Sequence, residues 1–270
     1  MIEGAEENMR PMHSFAVCAY GDSPYLERCL QSLRAQSMAS EYLLCTATPS
    51  RCLESLAKQY GFRLCVREGK AGIGADWNYA MDTARGQFVT LAHQDDIYGK
   101  HYTETLLRCA ARWPDMELFM TRSLTLKHHG VQKDGASERI KRLLRAPLRV
   151  HALSHLPLWK KAVLRLGNPV ICPSCAYRKD SCASLRFSEE KRFVLDWDYL
   201  YRLAEHGGRW ICMEKPLLLY RIHLGAATAR CMEEHVREQE EYEMFCRMWP
   251  KQVASMILHV YRRAYAAYQD

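Results

Sequence analysis

Two adjacent aspartates follow an apolar stretch in the first half of the chain. Residues 87–98 read QFVTLAHQDDIY, so Asp95 and Asp96 come directly after a run that is typical of a buried strand. Carboxylates are the ligands that hard divalent cations prefer, and such a cation can in turn hold phosphate groups. A plain surface turn is the alternative, because aspartate is common in turns. The secondary structure predicted around the pair distinguishes these two interpretations.

The chain before the pair alternates between strand-like and helix-like patterns. Strands are predicted at Ser14 to Ala19, Tyr42 to Cys45, Phe62 to Val66 and Phe88 to Ala92, and helices at Pro24 to Gln36, Pro49 to Tyr60 and Ile73 to Arg85. Such an alternation favours a parallel sheet with helices on its faces. Ligands of open α/β sheets bind beyond the carboxyl ends of the strands. The two aspartates therefore fall at the edge where a nucleotide site is expected.

Several short motifs resemble those of the family 2 glycosyltransferases, which have the GT-A fold and transfer a sugar from a nucleoside diphosphate donor. These motifs are Phe15 to Tyr20, Pro24 to Leu33, Gly72 to Asn78, His93 to Asp96, Leu195 to Tyr199 and Tyr220 to His223. Each motif is weak alone, and the resemblance rests on their order and spacing. It implies an α/β protein with a Rossmann-like mixed sheet flanked by helices and a C-terminal helical tail.

The resemblance also implies which residues bind the donor. Ala19 and Tyr20 would line the base pocket, where the tyrosine ring can stack on a base. The substrate-binding set that the resemblance implies is Ala19, Tyr20, Thr46, Gly72, Asp76, Asn78, Asp95, Trp197 and Arg221. Gly72 and Gly74 would let the backbone approach the donor closely. An ordinary half-buried tyrosine at a strand end is the alternative for Tyr20.

The metal ligands that the resemblance implies are Asp95, Asp96 and His223, with Mn²⁺ or Mg²⁺ bridging the two phosphates of the donor. A structural histidine is the alternative for His223. Two positions depart from the family pattern. Residues 45–50 lack the acid that often contacts the base, and His93 replaces the first aspartate of the acidic motif. The identity of the base therefore stays open, with a UDP sugar as the first choice.

Asp196 is the general base that we predict. An inverting transferase needs a carboxylate to take the proton of the acceptor hydroxyl while the metal stabilises the leaving phosphate. Asp196 matches the acid of the family and begins a predicted helix whose apolar face carries Trp197 and Leu200. A structural N-cap is the alternative, since aspartate at a helix start accepts from free backbone N–H groups. Asp198 is expected to be structural.

The length and composition of the chain are those of one large α/β domain or of a domain with appendages. It has 270 residues, of which 48% are hydrophobic and 26% are charged. We predict a flexible N-terminus at 1–12, a nucleotide-sugar-binding half at 13–99, an acceptor-binding and catalytic half at 100–230, and a C-terminal helical extension at 231–270. Two helices separated by Pro250 are expected in the extension, which would pack on the catalytic domain or on a second subunit. The oligomeric state stays open.

The cysteines and the lack of long apolar runs predict a cytoplasmic protein. Twelve cysteines lie mostly within apolar strands and helices, which fits reduced thiols. No run approaches the ~20 apolar residues of a membrane span, and no signal-peptide core is recognised. Cys172 and Cys175 lack the second ligand pair of a zinc module.

Positive charge is concentrated in one zone of the chain. Between Met120 and Arg165 there are eleven lysines and arginines and two acids. Residues 137–149 begin with an amphipathic pattern, which would allow a peripheral contact with anionic lipid at the inner face of the membrane. A solvated helix face is the alternative. Nucleic-acid binding is not expected, because no reader motif accompanies the charge.

The sequence therefore predicts a metal-dependent inverting glycosyltransferase with a nucleoside diphosphate sugar donor and a glycan or lipid-linked acceptor. The resemblance implies a role in cell-surface polysaccharide or glycolipid synthesis. A nucleotidyltransferase is one alternative, but residues 19–23 make a poor version of its Gly-rich, basic phosphate loop. A catalytically silent nucleotide-sugar binder or scaffold is the other, and the intact Asp95, Asp96 and Asp196 argue against it.

Overall fold

A computed structural model describes residues 10–132, 135–223 and 236–262 of the chain. Its strands are β1 (His13–Ala19), β2 (Glu41–Thr46), β3 (Arg63–Val66), β4 (Phe88–His93), β5 (Ile97–Tyr98), β6 (Met116–Lys127), β7 (Gly130–Gln132), β8 (Cys175–Arg178) and β9 (Arg209–Arg221). They form a single mixed sheet in the order β3-β2-β1-β4-β8-β6-β9-β5, with β7 paired to β6.

The helices lie on both faces of this sheet. They are α1 (Leu26–Arg34), α2 (Arg51–Tyr60), α3 (Ile73–Thr83), α4 (Tyr102–Arg112), α5 (Ala136–Arg145), α6 (Pro157–Leu164), α7 (Leu195–Leu203), α8 (Val236–Met248) and α9 (Lys251–Tyr261). Short 3-10 turns lie at Ala146–Arg149 and Cys172–Ser174. The predicted strands and helices of the first half are confirmed, with ends that differ by at most two residues.

Two apolar cores follow from the alternation of side chains along the strands. Phe15 and Val17 belong to one core, whereas Ala16 between them belongs to the other. Helices α1, α2 and α4 cover the first face, and α3, α6, α7, α8 and α9 cover the second. Local capping fixes the element ends: Ser50 Oγ accepts the Leu53 N–H at the start of α2, and Gly61 ends that helix with a φ of 66°.

The strand directions bring distant parts of the chain to one edge of the sheet. β1, β2 and β4 are parallel neighbours, and β4 is antiparallel to β8, which is antiparallel to β6. β6 is parallel to β9, so β9 ends at the same edge as β4. The turn after β4 and residues 221–223 after β9 therefore meet there.

The C-terminal helices pack on the rest of the same chain, which was one of the two predicted arrangements. Phe245 of α8 contacts Trp197 of α7 with ring centroids 5.1 Å apart, and Arg247 pairs with Asp198. The segments 1–9 and 224–235, which include parts of the predicted N-terminus and extension, lie outside the described residues. The boundaries after residues 12, 99 and 230 stay predictions.

Two further features bear on where the protein can act. Within the described ranges, no helix combines the length and the apolar character that crossing a bilayer requires. The cysteines of those ranges are all free thiols.

Candidate active site

A cleft of about 1460 Å³ lies at the carboxyl edge of the sheet. Its walls come from the ends of β1, β4 and β9, the start of α3, the segment before α7, and the helices α5 and α8. The predicted site residues that line it are Tyr20, Gly72, Asp76, Asp95, Asp96, Asp196, Trp197, Arg221 and His223. The predicted donor-binding acids and the predicted base therefore share one cavity.

Asp95 and His223 face each other in this cleft. Asp95 Oδ1 accepts a hydrogen bond from Ser23 Oγ at 2.9 Å. Asp95 Oδ2 lies 3.1 Å from His223 Nε2, without the alignment of a hydrogen bond. Two ligands that each lie ~2.2 Å from one cation at right angles are separated by about 3.1 Å. The pair thus has the spacing of two ligands of one ion.

Asp96 lies deeper and is 1% exposed. Its Oδ1 accepts the Arg221 backbone N–H at 2.9 Å, while its Oδ2 is buried without a hydrogen-bond partner. Burial raises the pKa of the Asp96 carboxyl well above its usual range, against the Arg221 hydrogen bond that lowers it. A cation beside Oδ2 would satisfy this oxygen and favour the ionised form.

The residues present fit a metal that is shared with the donor. In the described ranges, no group of three or more His, Cys, Asp or Glu side chains is arranged to hold an ion by itself. Magnesium-type sites at phosphates often use one or two protein ligands, with phosphate oxygens and water completing the shell. Asp95 and His223, with the partnerless oxygen of Asp96 behind them, fit this smaller ligand set. The metal assignment stays a prediction.

Arg221 ties the end of β9 to the acidic turn. Its Nε donates to the Asp95 carbonyl at 2.9 Å, and its guanidinium lies 4.3 Å from the centre of the Tyr25 ring. The same tyrosine ring lies 4.9 Å from the ring of His223. Tyr25 therefore packs against both side chains where they line the cleft.

Asp196 lies in the first turn of α7 and is partly buried. The N-cap of this helix is Val194, so Asp196 is not the capping residue. Its Oδ1 accepts the Trp197 N–H at 2.7 Å, and its Oδ2 accepts from Asn168 Nδ2 at 3.0 Å. These bonds fix the orientation of the carboxyl group at the cleft wall.

The surroundings of Asp196 tune its basicity. Desolvation raises the pKa of Asp196 to about 6, although the Trp197 N–H, Lys141 and Asn168 each lower it. A carboxylate with a pKa near 6 is largely ionised at neutral pH and accepts a proton more readily than an ordinary carboxylate. The group has the properties of a general base.

Comparison with known proteins identifies the first part of the chain. Residues 14–123, which contain β1 to β4 and the acidic turn, match the family described as glycosyl transferase family 2. Residues 14–123 thus resemble a family 2 glycosyl transferase domain. EpsH of Bacillus subtilis, which is named as a glycosyltransferase, is 30% identical over 112 residues. This match covers 39% of the chain and 32% of EpsH, about a third of that relative's length.

Solved structures extend the likeness over nearly the whole chain. The mannosyltransferase PcManGT from Pyrobaculum calidifontis, solved with GDP-Man and Mn²⁺, superposes with a TM-score of 0.66 at 15% identity, covering 93% of this chain and 71% of PcManGT. TarS from S. aureus, solved with UDP-GlcNAc, gives a TM-score of 0.63 at 14% identity, covering 95% of this chain and 73% of that one. The predicted GT-A fold is confirmed. Identities this low establish the fold alone.

Two predicted donor contacts of the family 2 domain do not line the cleft. Ala19 and Thr46 end β1 and β2, but they are 5% and 2% exposed. Thr46 Oγ1 accepts the Thr48 N–H at 2.9 Å, and Thr48 Oγ1 accepts the Gly21 N–H at 2.8 Å. Thr46 is thus part of a turn that supports the rim behind the cleft wall.

Asn78 does not line the cleft either. It is 8% exposed, its Nδ2 donates to the Phe187 carbonyl at 3.0 Å, and its Oδ1 accepts the Phe187 N–H at 2.8 Å. Gly74 lies at the same contact, because an added Cβ would lie 2.1 Å from the Ser188 carbonyl oxygen. Both residues join α3 to the segment before α7, and a contact of Asn78 with the donor stays a prediction.

The remaining predicted residues line the rim and floor of the cleft. Tyr20 is 55% exposed, and its backbone N–H and carbonyl bond the side chain of Gln94. Asp76 pairs with Arg67 at 2.8 Å. Trp197 is 2% exposed, and its Nε1 is buried without a partner.

Three residues near the base were not assigned from the sequence. Asn168 directly precedes Pro169, and this Asn-Pro pair was the available signal, since a residue before proline favours an extended or turn conformation. Lys141 reaches the cleft from α5. Glu240 of α8 accepts the N–H groups of Arg192, Phe193 and Val194, and nothing in the sequence distinguishes it from the other glutamates of that helix.

Asp198, which was expected to be structural, is held by two arginines. It is 6% exposed and forms ion pairs with Arg202 at 2.8 Å and with Arg247. Its carboxylate joins α7 to α8, and Asp198 does not line the cleft.

Proposed function

We propose that the protein is a divalent-metal-dependent, inverting glycosyltransferase that moves a sugar from a nucleoside diphosphate donor to a hydroxyl acceptor. The observation that carries this proposal is the shared cleft, in which the Asp95–His223 pair and a separate, basic Asp196 face one cavity. The family 2 domain and the two solved relatives with nucleotide sugars support it.

The donor is assigned to the edge formed by β1, β4 and β9. Asp95 and His223, with Asp96 behind them, would hold Mn²⁺ or Mg²⁺, which when bound neutralises charge on the leaving diphosphate. The guanidinium of Arg221 adds positive charge at the same place. The exposed ring of Tyr20 is positioned to stack on the base. A UDP sugar is our first choice, and the complex of PcManGT with Mn²⁺ favours that metal.

The acceptor is assigned to the side of the cleft near Asp196. The acceptor oxygen attacks the anomeric carbon from the face opposite the diphosphate, and the bond to the diphosphate breaks. Asp196 takes the proton of the attacking hydroxyl, so that charge is balanced in one step. Attack from the opposite face inverts the anomeric centre. A glycan or a lipid-linked molecule supplies the hydroxyl, and action in the cytoplasm fits the free thiols of the described cysteines.

A thermal-shift panel of UDP, GDP, CDP and dTDP sugars, each with Mn²⁺ or with EDTA, tests the proposal. A ligand that binds only the native state stabilises it by roughly 2.7 kcal/mol at a hundredfold excess over its dissociation constant. We expect one nucleotide class to raise the midpoint, with Mn²⁺ only. No shift with any sugar, or equal shifts in EDTA, would contradict the metal-dependent donor site.

A further inference from the structure

Helix α5 turns two of its charged residues toward the protein and two of its large apolar residues toward the solvent. Arg145 is 2% exposed and donates to the Pro169 carbonyl at 2.8 Å, and Lys141 lines the cleft. On the outer face, Ile140 and Leu143 are 55% and 74% exposed. Surface helices of globular proteins normally turn the apolar face toward the core. The outward apolar face of α5 is therefore not explained by packing within the described residues.

Further exposed apolar side chains follow in the chain beyond α5 and through α6. Seven of the fourteen exposed large hydrophobic side chains of the described chain fall within residues 139–166: Ile140, Leu143, Val150, Leu153, Leu156, Leu158 and Leu166. Leu158 at 84% is the most exposed of them. Single exposed apolar residues are ordinary, but a concentration of this kind marks an interaction surface.

The charge of this region has one sign. Residues 139–179 contain ten lysines and arginines and no aspartate or glutamate. Arg139 and Arg165 are exposed among the apolar side chains, and Arg149 is exposed 4.0 Å from Glu214. Apolar side chains set among basic ones are the pattern of helices that lie in the interface of anionic membranes.

We propose that residues 139–166 form a docking face for an anionic lipid bilayer. Ile140, Leu143 and Leu158 enter the boundary between headgroups and acyl chains, and the arginines contact the lipid phosphates. A second copy of the chain fits this face less well, because a two-fold contact would bring the same positive surfaces together.

The docking face has a consequence for the cleft. Lys141 lines the cleft from the same helix whose outer residues would enter the bilayer. A lipid-linked acceptor would then reach Asp196 from the membrane surface. This last step rests on the proposed function, whereas the docking face itself does not.

Vesicle co-sedimentation of the full chain tests the proposal. The probes are vesicles of phosphatidylglycerol with phosphatidylcholine and vesicles of phosphatidylcholine alone. We expect wild type to bind the anionic vesicles, and Ile140→Glu with Leu143→Glu to lower the partition coefficient at least ~tenfold. Met38→Glu is the matched control, since Met38 is 45% exposed and lies in the loop before β2, outside residues 139–166. Its binding should equal that of wild type.

Other outcomes overturn the docking face. One is wild type that stays in the supernatant, and another is equal vesicle binding by all three proteins. A third is wild type that binds no vesicles but forms a dimer in sedimentation velocity, with the dimer lost in the double variant. Thermal shifts with nucleotide sugars, measured on the same proteins, separate this test from the proposed function. If no nucleotide sugar raises the midpoint but the anionic vesicles still bind, the docking face is supported and the proposed function is not.

Discussion

The carboxyl group of Asp196 is oriented by two hydrogen bonds and made basic by desolvation. Asn168 and the Trp197 N–H each donate to one oxygen, and each lowers the pKa that burial raises to about 6. Under the proposed function, only the ionised carboxylate can take the proton from the hydroxyl group of the acceptor. On the acid side of the pH–rate profile, the rate of transfer should therefore follow the protonation of Asp196.

We expect turnover to fall about tenfold per pH unit below pH 6, because Asp196 becomes protonated as the pH decreases through its pKa. Asn168→Ala removes a hydrogen bond that favours the ionised form, so the acid limb should move to higher pH. The measurement is the release of nucleoside diphosphate against pH. If folded Asn168→Ala protein lost activity at the same pH as wild type, this role of Asn168 would be contradicted.

The sequence located the charged residues of the site better than the neutral ones. Asp95, Asp96 and Asp196 could be placed because each lies in a recognisable motif at the end of a strand or the start of a helix. The sequence could not show that Thr46 and Asn78 lie outside the cleft lining, since a motif gives the position along an element and not the direction of the side chain. Their direction is set by contacts with Thr48 and with residue 187, which no local pattern shows.

Helix α8 supports the turn that precedes the base. The Glu240 carboxylate is 9% exposed and accepts three backbone N–H groups, from residues 192, 193 and 194, at 2.8 to 3.0 Å. These N–H groups would otherwise be unpaired at the start of α7. The C-terminal helices thus hold Asp196 in place from outside the family 2 domain.

We expect Glu240→Gln to lower kcat while the KM for the donor stays unchanged. The change removes a carboxylate that accepts backbone N–H groups next to Asp196, and it leaves the Asp95–His223 side of the cleft untouched. Unfolding should become easier by about 1–3 kcal/mol, since the amide cannot accept three N–H groups equally well. Glu243→Gln is the matched control, as Glu243 lies on the same helix and pairs with Lys191 at the surface. A loss of donor affinity equal to the loss of kcat would show a general structural effect instead.

Periodic segments could be assigned from the sequence, but their pairing could not. Helices such as α2 and α3 have caps and apolar spacings that are local properties. The length of β9 and the antiparallel position of β8 between β4 and β6 depend on partners far along the chain. The thirteen residues of β9 pair along β6, a partner that no local pattern identifies.

The strand order of the whole sheet creates the site. Because β9 runs parallel to β4, Arg221 and Asp95 meet although they are 126 residues apart in the chain. The opposite wall comes from α7, supported by α8. Under the proposed function, one side of the cleft would take the donor diphosphate and the other the acceptor, each with its own carboxylate.

The most direct test changes one carboxylate on each side to its amide and compares donor binding by calorimetry with Mn²⁺. We predict that Asp95→Asn weakens binding at least ~tenfold. Asp196→Asn should bind the donor as wild type does, while turnover falls by ~10²–10⁴. Equal donor affinity in wild type and Asp95→Asn, or wild-type turnover in Asp196→Asn, would contradict this division of the cleft.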